Sequence, residues 1–564
     1  MKVNLNDYKP KLFSVMKDYN KDQLIKDIIS GIIVALIALP LSIALAIASN
    51  VDPQKGIYTA IIAGFFIAFL GGSRVQIGGP TAAFVVIICG IINDFGPNGL
   101  LIATIMAGII MIVFGICKAG NLIKFIPYTV TTGFTAGIAV TLAVGQVKDF
   151  VGLSNVSLPS EFIEKVGELV KHLKDTNLSA LFVGLGALAI LIVWPKLMRL
   201  LPDKLKYIKL IPESLIAILI TTAIVKVAEL DVFTIGKLYD VSSKLPSPEV
   251  PKISFDIIRK LLSPAFTIAI LASIESLLSA VVADGMIGSR HKPNAELIAQ
   301  GVGNIASAMF GGIPATGAIA RTAANIKNGG RTPIAGIVHS ITLLIILVVL
   351  MPYAKWIPMP TLAAILFMVA YNMSGIGKCI RLCKKAPKSD IIVFALTFLL
   401  TVFFDLVVAI EVSLVVAAAL FLKRMADTTD VKSWKYIDEI DENEDPDNIR
   451  LKEVPKGVLV YEISGPMFFG VTDKFLELVN DTSADVVILR MRGVPAIDAS
   501  ALHAMTDILN KFKKDKVTLV LSHVNEQPLH MMQKAKFDED VGKENFCANI
   551  DEALLRAQEI VKGK

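Results

Sequence analysis

Apolar segments long enough to cross or half-cross a bilayer recur throughout the first 425 or so residues, and this pattern constrains the fold most strongly. A run of about 20 apolar residues spans the hydrocarbon core as a helix. The composition agrees, because 54% of the residues are hydrophobic and 19% are charged, unlike soluble domains. We therefore predict a polytopic α-helical membrane protein with about 14 spans. They are 28–49, 56–72, 80–93, 99–117, 125–147, 178–200, 209–228, 256–287, 295–310, 318–327, 333–351, 359–377, 389–403 and 405–423.

Basic residues cluster in alternate connections between these spans, on the side of the N-terminus. The residues are Arg74, Lys118, Lys124, Lys196, Arg199, Lys204, Lys206, Lys209, Arg290, His291, Lys292, Lys327, Arg331, Lys378, Arg381, Lys384, Lys385 and Lys388. Because positive charge favours the cytoplasmic side, both termini should be cytoplasmic, and we expect the cell (inner) membrane. The formal net charge of +6 thus reports orientation and not a nucleic-acid partner. The polar segment 1–27 lacks a cleavage pattern, so we expect it to be retained.

The third and tenth segments are short and stand seven apart in the order. Similar short sequence motifs precede them, AFLGG at 68–72 and AMFGG at 308–312. A repeat unit of seven spans inverts its successor, which predicts two antiparallel halves. The stretches 75–77 and 313–315 have extended character, and we expect them to pair as a small buried ribbon.

The stretch 311–325 follows an apolar span and opens with glycines and a proline, which cannot sustain a helix. Freed backbone groups at membrane depth are tolerated where they line a cavity. Short helices beginning near Thr81 and Ala318 would point their N-termini at each other, and Arg321 would add a charge suited to an anion. The alternative is an extramembrane loop with a solvated arginine. The hydroxyl of Thr81 would bind the anion, cap its own helix, or both.

Glu275 is a carboxylate near the middle of the eighth span, with Ser279 one turn further along the same face. Charged residues inside spans are functional candidates. One hypothesis makes Glu275 a proton carrier, because burial favours its neutral form and Arg321 its ionised form. The other makes it a structural ion-pair partner of Arg321.

No pattern typical of an enzyme is present. The sequence has no P-loop and no HExxH motif, and its cysteines and histidines are not at metal-ligand spacing. We therefore expect no catalytic activity, no metal and no cofactor.

The composition changes near residue 425. Segment 426–453 is charged and is expected to be a linker, and 454–564 alternates strand-like and helix-like runs. Predicted strands are 457–463, 485–491 and 517–522, and predicted helices are 471–480, 499–513 and 527–535. This alternation predicts a small α/β domain, and 28–425 would be the membrane domain.

Three stretches, 274–284, 288–304 and 311–325, together resemble the sulfate permease (SulP) family of anion transporters. The resemblance implies 14 spans in seven-plus-seven inverted repeats, a core domain that moves against a gate domain, and a homodimer in the lipid bilayer. It also implies that 463–470 and 494–501 belong to a C-terminal STAS domain. There Ala499 replaces a serine that related regulators phosphorylate, and Ser500 is a weaker candidate.

Site residues follow from the resemblance. Thr81 and the amides around Ala320 and Arg321 match the substrate site of the family, with Gly317, Ala318 and Ile319 beside them. Pro40 and Leu41 match the contribution of the first span, although many animal members have glutamine where Leu41 stands.

The coupling ion also follows from the resemblance. Sodium-coupled bicarbonate members have aspartate at the position of Glu275, threonine at that of Ser279, and no arginine at that of Arg321. Proton-coupled members have glutamate at the first of these positions. Segments 273–304 and 311–325 look most similar to the proton-coupled C4-dicarboxylate carrier of the family.

The leading hypothesis is therefore a secondary transporter that imports a small anion, a C4-dicarboxylate or sulfate, with protons by alternating access. Glu275 and Ser279 would serve proton coupling. The alternatives are a sodium-coupled or exchange-type bicarbonate or sulfate transporter, an uncoupled anion channel, and a membrane-anchored scaffold for the soluble domain.

Overall fold

The structure is a computed structural model, and it describes most of the chain. The described residues are 7–16, 19–121, 127–153, 156, 158–159, 161–200, 211–248, 250–252, 254–404, 406–428, 430–434, 453–471 and 484–563. They form two compact units, Met1–Val415 and Val416–Lys564.

Helices dominate the first unit. They are α1 Lys11–Val15, α2 Lys21–Ala48, α3 Pro53–Leu70, α4 Val85–Ile116, α5 Tyr128–Phe150, α6 Phe162–Lys171, α7 Leu178–Leu200, α8 Glu213–Val227, α9 Ile235–Leu238, α10 Phe255–Ile287, α11 Pro293–Met309, α12 Ile319–Lys327, α13 Ile334–Ala354, α14 Met359–Ser374, α15 Ile376–Lys385, α16 Lys388–Phe403 and α17 Leu406–Thr428, which continues into the second unit. Two short strands, β1 Gly78–Gly79 and β2 Thr316–Gly317, complete the unit. Within the described residues, eight helices are long and apolar enough to cross a membrane.

In its described residues, each predicted segment coincides with a helix or with one arm of a bent helix. The third and fourth segments are the two arms of α4, which bends at Gly96, where φ is 68°, just before Pro97. Glycine adopts this backbone conformation without a steric penalty, and proline disrupts the helical hydrogen bonds. The helix α2 begins at Lys21, so the predicted polar segment 1–27 ends in the first turns of a helix.

Helix packing repeats with a shift of seven spans. The contact between α2 and α13 corresponds to the contact between α10 and α4. The contact between α3 and α13 corresponds in turn to the contact between α11 and α4. In the same way α5 packs on α16 as α14 packs on α7. The first set forms a core bundle (α2–α4 and α10–α13), and the second belongs to a gate bundle (α5, α7, α8, α14 and α16). This correspondence is the predicted seven-plus-seven repeat.

The buried ribbon exists, but three residues later than predicted in each half. Gly78 pairs with Gly317 and Gly79 with Thr316, in antiparallel register. The prediction of 75–77 and 313–315 was wrong because glycine-rich residues allow two backbones to approach closely, whereas the residues before them are held by side chains. For example, the side chain of Gln76 donates a hydrogen bond to Glu296. The backbone amide of Ala315 donates one to the side chain of Asn304.

The second unit contains a five-stranded sheet in the order β3-β4-β5-β6-β7. Its strands are β3 Asp430–Trp434, β4 Val458–Ser464, β5 Val486–Gly493, β6 Thr518–Ser522 and β7 Phe546–Cys547. Its helices besides α17 are α18 Ala499–Lys514, α19 Glu526–Lys534, α20 Phe537–Val541 and α21 Ile550–Gly563. The three predicted strands and the helices predicted at 499–513 and 527–535 are confirmed.

The prediction of a linker over 426–453 was wrong in part. The helix α17 continues to Thr428, and 430–434 form an edge strand antiparallel to β4. Main-chain hydrogen bonds to an open sheet edge stabilise such a strand without an apolar sequence pattern. The rest of the predicted linker, 435–452, lies outside the described residues, as do the predicted helix over 472–480 and the basic residues Lys124, Lys204, Lys206 and Lys209.

Candidate functional site

The ribbon of β1 and β2 brings two helix N-termini together in the core bundle. A 3₁₀ turn, Ala82–Phe84, follows β1 and leads into α4, and α12 follows β2. Because the two strands are antiparallel, the helices leave the ribbon in opposite directions with their N-termini towards it. Both helices thus direct positive dipole ends to the same region, as the repeat predicts.

Thr81 precedes the 3₁₀ turn, and its side chain does not cap its own helix. Its Oγ1 instead donates a hydrogen bond of 3.0 Å to Oε2 of Glu275 in α10. The structure therefore brings together two residues predicted for the site, but in direct contact with each other. Glu275 itself is half-buried.

Arg321 is the third residue of α12, and 2% of its surface is exposed. Its Nη2 donates to the carbonyl oxygen of Pro80, next to Thr81. Its Nε and Nη1 are buried and have no hydrogen-bond partner within the described part of the chain. No ion pair within 4.0 Å joins Arg321 to Glu275 in the described structure, so the predicted structural ion pair is not formed as a direct contact.

Gly79 explains how Arg321 comes so close to the ribbon. Its φ is 149°, and a Cβ atom at this position would collide with Nη1 of Arg321. Glycine is therefore required here for two reasons, the backbone conformation and the approach of the guanidinium.

Exposure at the start of α12 changes abruptly. Gly317 and Ala318 are buried in and beside the ribbon, and the amide of Ala318 donates to the carbonyl of Ile77. Ile319 and Ala320 are exposed, with Ile319 at 40%. The amides of the first turn of a helix lack partners within the helix. Those of Ile319, Ala320 and Arg321 thus remain suited to an anion, whereas the amide of Ala318 is already used.

The side chain of Ser279 forms no hydrogen bond with Glu275 in the described structure. It is buried, and its Oγ donates to Oγ1 of Thr322 over 3.3 Å. Oγ1 of Thr322 in turn accepts a hydrogen bond of 3.1 Å from the amide of Ile77. Ser279 thus ties α10 to α12 and to the strand β1, which is a contact that positions the site.

Pro40 and Leu41 lie inside α2. Pro40 is buried, and Leu41 packs against a hydrophobic cluster that contains Ala82 and Val85, just after Thr81. The first span therefore contributes apolar side chains to the same cluster as the start of α4, and Leu41 supplies no polar contact.

A polar face on α11 was missed by the sequence interpretation. Glu296, Gln300, Asn304 and Ser307 are all buried and fall at helical spacing. Oε2 of Glu296 accepts from the amides of Gly72 and Ser73, and its Oε1 accepts from Gln76 and Gln300.

Further along the same face, Asn304 bonds to both the N–H and the C=O of Ala315 at 2.8 Å. Ser307 donates to the carbonyl of Ile313. Helix α11 thus holds both interrupted stretches in place. The signal that would have found it is the repeat of long polar residues along one face of a predicted span.

Together these contacts make a site with one buried cation, one carboxyl group and free amides at a helix end. Such a site suits an oxyanion and a transferable proton. In the described residues, no group of three or more His, Cys, Asp or Glu is placed to hold a metal ion.

Comparisons with known proteins agree with this fold. Residues 24–397 match the sulfate permease family, and residues 450–553 match the STAS domain. The chain is 39% identical to YvdB of Bacillus subtilis, named as a candidate sulfate transporter, over 95% of this chain and 98% of that protein. It is 30% identical to the bicarbonate transporter BicA of Picosynechococcus, over 94% of each chain.

The fold also matches a solved structure. Murine Slc26a9, an anion transporter solved in the inward-facing state, superposes with a TM-score of 0.86 at 19% identity, over 99% of this chain and 95% of that one. The relatives are transporters and not enzymes, and their names give no support to the narrower likeness to a C4-dicarboxylate carrier. The matched residues and the shared fold identify the chain as a member of the sulfate permease family of anion transporters, with a C-terminal STAS domain.

Proposed function

We propose that this chain is a secondary active transporter that moves a small anion together with protons by alternating access. The observation that carries the proposal is the buried guanidinium of Arg321, whose Nε and Nη1 have no partner in the described structure. An unpaired buried cation is costly, and an oxyanion would satisfy it. The amides of Ile319 and Ala320 would bind the same anion.

Glu275 is the proposed proton carrier. Its carboxyl group is half-buried and within 3.0 Å of the Thr81 hydroxyl, beside the proposed anion site. Protonation of Glu275 would offset the negative charge that the substrate brings into the bilayer. Return of the unloaded site would then require release of both the anion and the proton.

Sulfate is the first substrate to test, because YvdB is named as a candidate sulfate transporter and shares 39% identity. Bicarbonate is the second candidate, with sodium as the alternative coupling ion. Bicarbonate is favoured by the 30% identity with the bicarbonate transporter BicA over 94% of both chains. A C4-dicarboxylate is the third candidate, because one of its carboxylates could bind Arg321 and the other the amides at the end of the helix.

Location and assembly are part of the proposal. We place the protein in the inner membrane with both termini in the cytoplasm, as the basic connections favour, and expect it to act as a homodimer. An uncoupled channel would need no carboxyl group at the site, so Glu275 favours the coupled transporter over the channel. The protein's partners would be its substrate, protons and lipid.

The decisive experiment measures uptake into proteoliposomes. Labelled sulfate, bicarbonate and succinate are offered under an imposed proton gradient, an imposed sodium gradient, and neither. Only a proton gradient should drive concentrative uptake, and Arg321→Gln should abolish it. Current that does not saturate, or uptake driven by sodium alone, would contradict proton-coupled transport.

A further inference from the structure

A cavity of about 510 Å³ lies at the opposite end of α12 from the proposed transport site. Its lining comes from four parts of the first unit: the N-terminal segment through α1 and the start of α2, the connection from α3 to β1, the end of α10, and the connection from α12 to α13. The residues that matter for its chemistry are Lys11, Tyr19, Gln23, Arg74, Arg331 and Thr332. Three of these six carry a positive charge.

Arg74 is the cation without a partner. It forms no hydrogen bond or ion pair within the described residues, and its buried Nε is unsatisfied. The other two cations are held by main-chain carbonyls. Lys11 Nζ donates to the carbonyl of Arg290 at 2.9 Å, and Arg331 Nη1 donates to the carbonyls of Ile326 and Gly330 at 2.8 Å.

No carboxylate in the described structure neutralises these side chains by direct contact. The carboxylate of Asp27 lies beside the cavity, but it accepts hydrogen bonds from Tyr19, Gln23, the Arg331 amide and Thr332 and not from a charged side chain. Partial burial, together with the positive charges of Lys292 and Arg74, lowers the pKa of Lys11, and Asp284 offsets this in part. None of the three cations is thus paired directly with a carboxylate in the described residues, although the carboxylates of Asp27 and Asp284 lie nearby.

The cavity is separate from the pair Glu275 and Arg321. Helix α12 has nine residues, so about 13 Å separate its two ends at roughly 1.5 Å per residue. Arg321 lies in its first turn, and the cavity residues Arg331 and Thr332 follow its last. An anion in the cavity would thus not occupy the transport site.

We propose that this cavity is a second anion site, which binds a phosphate group between Arg74, Lys11 and Arg331. Arginine is suited to this task because its planar fork of N–H groups matches the oxygens of phosphate. The cavity is large enough for a phosphate group together with part of a larger molecule. The proposal is independent of which anion the transport site moves.

Two sources carry this chemistry, a phospholipid headgroup and free inorganic phosphate. Phe13 in α1 and Met16 just after it are 48% and 46% exposed, on the same short segment as Lys11. A short segment with apolar and basic faces is typical of the membrane interface, where headgroups are abundant. Either ligand would join the N-terminal segment to the C-terminal end of α12 and stabilise the fold by mass action.

The test compares unfolding midpoints of the full-length protein with two probes. One arm adds inorganic phosphate to protein in a neutral detergent, against sodium chloride at equal ionic strength. The other transfers the protein to nanodiscs of phosphatidylcholine, with or without phosphatidylglycerol. Stabilisation in the first arm identifies free phosphate, and stabilisation in the second alone identifies a lipid headgroup; both support the site.

Variants locate the effect. Arg74→Gln and Lys11→Gln should remove the stabilisation, and Arg74→Lys should retain part of it. Lys384→Gln in α15 is the matched control, since it removes an exposed cation outside the cavity, and should respond like the wild type. Arg321→Gln should keep the part of the response that Arg74→Gln loses, which separates this site from the transport site.

The measured quantity is the apparent affinity for the probe that stabilises the protein, and we expect a loss of about tenfold or more in Arg74→Gln. Equal responses of Arg74→Gln, Lys11→Gln and wild type would overturn the proposal, as would no stabilisation by either probe. If Arg74→Gln fails to fold, the comparison of Lys11→Gln with Lys384→Gln decides.

Discussion

The Oγ1 of Thr81 donates a hydrogen bond to the Oε2 of Glu275 at 3.0 Å, across 194 residues of sequence. This contact joins the start of α4 in the first half of the repeat to α10 in the second. A conformational change that separates these helices would break it, and a change in the charge of Glu275 would alter its strength. Three predictions concern this bond and the contacts around it, and a fourth concerns Tyr19 in the N-terminal segment.

Replacing Thr81 should reduce transport without unfolding the protein. Thr81→Val keeps the shape of the side chain but removes the donor to Glu275, and hydrogen bonds to charged groups contribute about 1.5–3 kcal/mol. We expect the initial rate of uptake into proteoliposomes to fall at least tenfold. Thr81→Ser keeps the hydroxyl and should retain most of the rate; an unaltered rate in Thr81→Val would show that the bond has no role in transport.

Replacing Glu275 should separate anion movement from proton movement. Glu275→Gln is permanently neutral, so any remaining uptake should no longer respond to an imposed proton gradient. The measurement is uptake of the substrate with and without that gradient. Glu411→Gln, which changes an exposed carboxylate in α17, is the control. Its uptake should depend on the proton gradient as fully as that of the wild type. Full dependence in Glu275→Gln as well would rule out Glu275 as the carrier.

Adding one methyl group at Gly79 should displace Arg321. The Cβ of Gly79→Ala would collide with the guanidinium, and φ at this position is 149°, so we expect destabilisation of about 1–3 kcal/mol together with loss of uptake. The thermal unfolding midpoint measures the first effect. Gly90→Ala is the matched control, because nothing lies within 4 Å of its Cβ, and should leave the midpoint unchanged or higher. A Gly79→Ala protein as stable as wild type would contradict the close approach of Arg321.

Alkaline pH should destabilise the N-terminal segment through Tyr19. Burial, the negative charge of Asp27 and the hydrogen bond to Asp27 raise the pKa of Tyr19 to about 12, from 10.0. The folded state thus holds this proton more tightly than the unfolded state, so the associated stability is complete below pH 10 and is lost between pH 10 and 12. Unfolding midpoints measured across this range should fall less steeply in Tyr19→Phe than in wild type. Identical slopes would show that this tyrosine is not shielded in the folded protein.

Much of the fold could be predicted because the bilayer allows few solutions. Spans must be apolar and helical, and the motifs at 68–72 and 308–312 mark the two places where a span is interrupted. The strands β4, β5 and β6 were predicted in the soluble unit for a related reason, since buried strands between helices require runs of β-branched residues. The strand β3 was not predicted, because pairing at a sheet edge depends on backbone geometry and imposes no apolar pattern on the sequence.

The site was predicted less completely. Thr81 and Arg321 were predicted because a hydroxyl or a charge at a break in a span is unusual, and Glu275 because a charge inside a span is unusual. Their contacts were not. The hydrogen bond from Ser279 to Thr322 was not predicted, and the polar face of α11 was missed altogether.

The sequence by itself determined the spans, their interruptions and the residue types available at them, since these follow from local hydropathy and backbone preference. Only the tertiary structure decided that Gly79 makes room for Arg321, that Thr81 turns from its own helix to Glu275, and that Glu296 holds both ends of a loop. The reason is physical: each of these contacts joins residues far apart in the chain, and a directional hydrogen bond depends on distances of tenths of an ångström that helix packing alone sets.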